Sequence, residues 1–98
     1  MKLTVDFRAL ARAEYDTAVA WYDQARPNLG YDFEAEVQDR LDEASTTPQR
    51  YPISDGDFRE APLRCFDSYA YYCVRSSRLI VVAIYHQPRA PSGWHGRT

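Results

Sequence analysis

The chain is 98 residues long, enough for one domain spanning residues 1–98 and too short for two. Hydrophobic residues make up 45% and charged residues 27%, a globular balance that excludes a disordered tail or a low-complexity linker. The net charge of −2 makes a poor non-specific binder of polyanions, because affinity for nucleic acid grows with the cations set against phosphates.

In chain order, residues 3–7 alternate, with Leu3, Val5 and Phe7 on one side, as in a half-buried strand. From Arg8 to about Gln24 the period changes to steps of four and three. Ala11, Tyr15, Ala18, Tyr22 and Ala25 form one helical face, which Leu10 and Trp21 widen. Arg26-Pro27-Asn28 breaks this helix, and a second runs from Leu29 to about Thr46, where Pro48 stops it. Leu29, Phe33, Val37, Leu41 and Ala44 form its apolar stripe. Asp32, Glu34, Glu36, Asp39, Asp42 and Glu43 make its outer face acidic.

Segment 48–57 is rich in Pro, Asp and Gly and reads as a loop. Three strands follow: Phe58 to Phe66, Tyr69 to Arg75 and Leu79 to His86, with turns at Asp67-Ser68 and Ser76-Ser77. On the second of these, Tyr69 and Tyr71 share a face opposite Tyr72. The last is apolar on both faces and β-branched, as a central strand is. The tail from Gln87, with two Pro and two Gly, reads as irregular. The expected fold is α+β in the order β-α-α-β-β-β. A helical hairpin packs on one face of a twisted, mainly antiparallel four-stranded sheet, and the first strand pairs with the last.

No apolar run approaches the roughly 20 residues of a bilayer span, and MKLTVDF is no signal peptide, so a cytoplasmic protein without a membrane partner is expected. Residues 1–50 carry a balance of −4 and residues 51–98 one of +2. Eleven of the twelve basic residues are Arg, suited to bidentate contacts with phosphate or carboxylate. Cys65 and Cys73 form no CxxC pair and make no zinc signature with the two His. No metal or cofactor is therefore expected, and both cysteines read as small core residues.

Certain residues form an ordered set: Ala18-x-x-Trp21-Tyr22, Arg26-Pro27-Asn28-Leu29-Gly30-x-x-Phe33, Val37, Leu41, Pro48 and Tyr51-Pro52. The set continues with Arg64, Phe66-Asp67-Ser68-Tyr69, Val81 to His86, and Arg89-x-Pro91-x-x-Trp94-x-x-Arg97. From Leu3 to Arg97 this pattern resembles the RelE/ParE superfamily of toxins from type II toxin–antitoxin pairs, also known as plasmid stabilisation proteins. The resemblance implies a cytoplasmic growth inhibitor. A small cognate antitoxin, whose amphipathic segment wraps the toxin, would neutralise it in a hetero-oligomer. Two targets follow from the superfamily: DNA gyrase, bound and blocked, or the ribosome, where mRNA is cut. The shared fold does not choose between them.

Metal-free RNA cleavage needs a base for the ribose hydroxyl, cations for the charged phosphorane and an acid for the leaving oxygen. Arg64, His86 and Arg89 are the candidates. Arg64 and His86 sit where cleaving members place an arginine and a histidine or another basic group. The set is incomplete. Gln87 stands where some cleaving members have Tyr, the second helix has only Arg40 where others have lysines, and the tail offers Trp94, His95 and Arg97 in place of a Tyr or Lys. With the acidic balance, this favours a toxin that binds gyrase over an endoribonuclease. A degraded member retaining only antitoxin binding is a third reading. Arg75, Trp94 and Arg97 are the expected partner-binding residues, and Trp21 and Tyr22 read as packing. Arg64, Arg75 and Arg89 are expected to gather on the sheet face away from the helices, leaving that face free to dock.

Overall fold

The computed structural model describes residues 2–86 and Arg97. Strand β1 (Thr4–Phe7) leads through Arg8 directly into helix α1 (Ala9–Ala25). Arg26-Pro27 ends α1. Asn28, left-handed at φ 69°, then turns the chain into helix α2 (Leu29–Thr46), a conformation that Asn adopts more readily than bulkier residues. A 3₁₀ turn (Pro48–Arg50) precedes strands β2 (Ile53–Asp55), β3 (Phe58–Pro62), β4 (Tyr69–Arg75) and β5 (Arg78–Tyr85). The sheet order is β1-β5-β4-β3-β2. β1 runs parallel to β5, from Thr4 opposite Arg78 to Phe7 opposite Val81, and the other pairs are antiparallel. The α+β class, the element order and the pairing of first strand with last are as expected from the sequence.

The sheet has five strands rather than four. The extra one, β2, lies in the stretch read as a loop. It is three residues at the sheet edge, too short to show alternation, folded back on β3 by a turn in which Gly56 takes φ +58°. Strand β3 stops at Pro62 rather than Phe66, because proline has no N–H for the ladder. The chain then closes a turn in which the Leu63 amide donates to the Ser68 carbonyl at 3.0 Å.

The hairpin buries Tyr15 and Tyr22 of α1 with Phe33, Val37 and Leu41 of α2 against Ala61, Ala70, Tyr72, Leu79, Val81 and Ile84. Tyr72 donates its hydroxyl to the Pro48 carbonyl at 2.7 Å, and burial pushes its pKa up to about 12. The opposite face is not an open arginine platform. Phe58, Tyr71, Cys73, Ile80, Val82, Ala83 and Tyr85 form a second buried apolar cluster there. Tyr69 and Tyr71 belong to this cluster and Tyr72 to the first, as the alternation along β4 predicts.

A bulge in β5 decides which way its end points. Tyr72 lies opposite Val81 but Tyr71 opposite Ala83, so Val82 has no cross-strand partner. An extra residue reverses the alternation beyond it. Val82 and Ala83 both face the second cluster, Ile84 returns to the helix side, and His86 follows it toward α1. Beyond Val81, β5 also outruns β1. Side chains supply the missing hydrogen bonds there: Glu14 of α1 accepts from the Ile84 amide at 3.1 Å, Arg97 donates to the Val82 carbonyl at 3.1 Å, and the two pair at 2.9 Å.

The helices approach closely at Gly30. Its amide donates to Asp23 Oδ1 at 2.7 Å, and a Cβ built there would lie 2.6 Å from that oxygen and 2.8 Å from the Val19 carbonyl. Helix propensity alone would favour Gly30→Ala by about 1 kcal/mol. The backbone carbonyl cannot move aside, so we expect the variant to lose about 1–3 kcal/mol, as overpacked sites do. Chemical denaturation of wild type and variant checks the sign: a stabilised Gly30→Ala would contradict this packing.

Candidate functional site

The last turn of α1 and the end of β5 meet at Trp21, Tyr22 and His86. Their spacing follows from the helical period on one side and the β5 bulge on the other. Tyr22 is buried against Phe33 and Phe66 at ring-centroid distances of 4.9 and 4.8 Å. Trp21, its neighbour, points outward and is 55% exposed, with its ring edge-on to Tyr22 at 5.0 Å and to His86 at 5.2 Å. His86 is exposed at the strand end, and its Nδ1 lies 3.3 Å from the Tyr22 hydroxyl.

This ridge separates two grooves. One, of about 520 Å³, runs between α1 and the end of β5, lined by Leu10, Ala13, Glu14, Thr17, Ala18, Ile84 and Tyr85. The other, of about 580 Å³, lies toward α2 and the turn after β3. Its charged lining is Arg26 against Asp32, Glu36 and Asp67. The sequence placed Leu10 and Trp21 on the buried face of α1. Instead Leu10 is 58% exposed, and with Trp21 it forms a second apolar strip along the first groove. The packed face of α1 is narrower than its apolar content suggests, because β1 feeds into the helix without a loop and fixes its rotation.

Among the described residues, the predicted basic side chains do not converge. Arg64 lies beyond the end of β3 rather than on it. Its backbone amide donates to Glu36, as does that of Cys65 at 3.2 Å, and among the described residues its guanidinium has no ion-pair partner. Glu60 of β3 is engaged elsewhere, accepting from the Tyr71 hydroxyl at 2.7 Å. Arg75 sits at the other end of β4, on the order of 20 Å away along the strand. It pairs with Asp57 at 2.6 Å and covers the Phe58 ring at 5.7 Å. Arg78 reaches Asp6 at 3.6 Å, and Arg97 pairs with Glu14 while lying 5.7 Å from the Tyr85 ring centroid. Arg89 and Trp94 lie outside the described residues. The carboxylates that meet these arginines sit on β1, α1 and the β2–β3 turn, distant in sequence, so charge counting along the chain did not reveal them. Of the two cysteines, Cys73 is buried and Cys65 is exposed, since the turn that carries it runs over the surface.

The Arg75–Asp57 pair gives a measurable signature. Hydrogen bonding from the Arg75 guanidinium holds the Asp57 carboxyl below the usual carboxylate range. A depressed folded-state pKa contributes stability above the ordinary carboxylate pKa and loses it as pH falls through the depressed value. A carboxyl NMR titration should find Asp57 low in wild type and restored to the ordinary range in Arg75→Ala. An unchanged Asp57 titration would show that the pair does not persist in solution.

No family model matches the chain. No curated protein matches it either. Among solved structures, a chain from the chromosomal ParDE TA system of P. aeruginosa superposes with a TM-score of 0.76 at 12% sequence identity, covering 89% of this chain and 98% of that one. The two chains share one fold over nearly their full lengths.

Proposed function

We propose that this chain is the toxin subunit of a type II toxin–antitoxin pair, acting in the cytoplasm, neutralised by a small cognate antitoxin, and arresting growth by binding DNA gyrase. The observation that carries the reading is the full-length likeness to a chain of a ParDE system, which agrees with the ordered motifs from Trp21-Tyr22 to Trp94. The exposed Leu10–Trp21 strip offers the antitoxin's amphipathic segment an apolar seat. Arg75, Trp94 and Arg97 are proposed as further partner contacts.

Binding is favoured over RNA cleavage by the surroundings of His86. Cleavage would need Arg64, His86 and Arg89 around one phosphate. The groove beside His86 carries Asp32, Glu36 and Asp67 against Arg26, a balance that repels a phosphodiester. Producing the protein alone in a bacterial host, then with the product of the adjacent short reading frame, tests the proposal. Arrest relieved by the second protein, with loss of DNA supercoiling and intact mRNA, is expected. Rapid mRNA loss that vanishes in His86→Ala or Arg64→Ala would establish the endoribonuclease instead. No arrest, with the second protein still bound, would mark a chain that keeps only antitoxin binding.

A further inference from the structure

His86 is held by more than ring packing. Its Nδ1 lies 3.3 Å from the Tyr22 hydroxyl, and that hydroxyl lies 3.2 Å from Ser68 Oγ. Tyr22 is 6% exposed and Ser68 only 2%, so a hydroxyl left without a partner there would lose the water that could replace it. Ser68 is anchored in turn, since its carbonyl accepts from the Leu63 amide at 3.0 Å and closes the β3–β4 turn. Three groups from α1, that turn and β5 thus form one line from the interior to the exposed imidazole.

The hydrogen inventory gives the line a direction. The Tyr22 phenol has one hydrogen for two neighbours. A phenol O–H is a stronger acid than an imidazole N–H, and an imidazole nitrogen accepts better than a phenol oxygen, so the favoured arrangement runs outward. We propose that Tyr22, backed by Ser68, is a positioning residue for His86. Ser68 donates to the Tyr22 oxygen, Tyr22 donates to His86 Nδ1, and the imidazole proton is held on Nε2. On the reading that an antitoxin segment sits along the Leu10–Trp21 strip, the ridge then presents a fixed N–H donor to an acceptor oxygen of that segment. The Trp21 edge, 64° from the imidazole plane, limits the ring's rotation but offers no hydrogen bond to it. The relay belongs to the isolated chain, so its failure and the failure of the toxin reading are separate results.

The test is long-range ¹H–¹⁵N NMR of His86 in the whole protein, at a pH where the imidazole is neutral, with the signal assigned from His86→Gln. Wild type should show the Nε2–H tautomer in large excess. Tyr22→Phe keeps the ring and removes the hydroxyl, and should lower the tautomer ratio by about fivefold, the worth of one hydrogen bond. Ser68→Ala should move it the same way by less, and serves alone if Tyr22→Phe does not fold. Trp21→Ala should leave the ratio unchanged. A dominant Nδ1–H tautomer in wild type, a ratio unmoved by Tyr22→Phe and Ser68→Ala, or an equal shift in Trp21→Ala would overturn the proposal.

Discussion

Replacing Phe33 with alanine is expected to lower the unfolding free energy by about 3–5 kcal/mol, the range for truncating an aromatic ring in a packed core. Phe33 is fully buried on the inner face of α2, where both helices and the turn after β3 converge. Its ring centroid lies 4.9 Å from Tyr22, 5.4 Å from Phe66 and 6.1 Å from Tyr15. Those neighbours belong to α1 and the turn after β3, both tied down elsewhere, so the cavity cannot collapse without moving one of them. Domains of this size are stable by about 5–15 kcal/mol in all. At about 4–8 °C per kcal/mol, the unfolding midpoint should fall by roughly 12–40 °C. Thermal unfolding followed by circular dichroism measures this, with Phe33→Leu as the smaller change expected to recover much of the loss. A midpoint lowered by less than about 4 °C in Phe33→Ala would mean that α2 is not seated on the sheet as described.

The second large effect concerns the partner rather than the fold. Trp21→Ala should leave the unfolding midpoint nearly unchanged, since the side chain is half exposed and touches its neighbours edge-on. Antitoxin affinity should fall by about 2 kcal/mol or more, roughly thirtyfold in Kd, because large aromatic side chains dominate binding energy at desolvated interfaces. Leu10→Ser, at the other end of the same strip, should weaken the complex less. Titration calorimetry with the purified antitoxin reads both effects. Unchanged affinity in the two variants, with folding intact, would remove the α1–β5 groove from the antitoxin interface and leave the fold untouched.

The contrast between these residues shows what the sequence discloses. Phe33 was legible because α2 repeats its apolar stripe over the whole helix, and the bounds Leu29 to Thr46 follow from the stripe and the flanking prolines. The strand from Tyr69 to Arg75 was legible for the same kind of reason, as turns bracket an alternating run. Trp21 was not. On α1 the apolar residues cover more of the circumference than the sheet can bury, and periodicity alone does not say which part is left outside. The turn of His86 toward α1 was hidden more deeply. Val81 to Tyr85 is apolar at every position, so a bulge that reverses its facing leaves no mark in the pattern. Short edge strand β2 escaped through its length. Of the expected arginine platform, Arg64 and Arg75 lie apart, and Arg75 is held by Asp57 of the β2–β3 turn, as Arg78 and Arg97 are held by carboxylates of β1 and α1. Such pairing depends on the topology, which residue counts do not contain.

The proposed action of this fold, with its exposed α1 strip and dispersed arginines, is to disable a large target by binding it. Purified chain added to DNA gyrase and relaxed plasmid, with and without the cognate antitoxin, addresses it directly. Dose-dependent loss of supercoiling, reversed by antitoxin and retained in His86→Ala, is the predicted result. Full supercoiling at every dose, together with ribosome-dependent mRNA cleavage that His86→Ala abolishes, would contradict it.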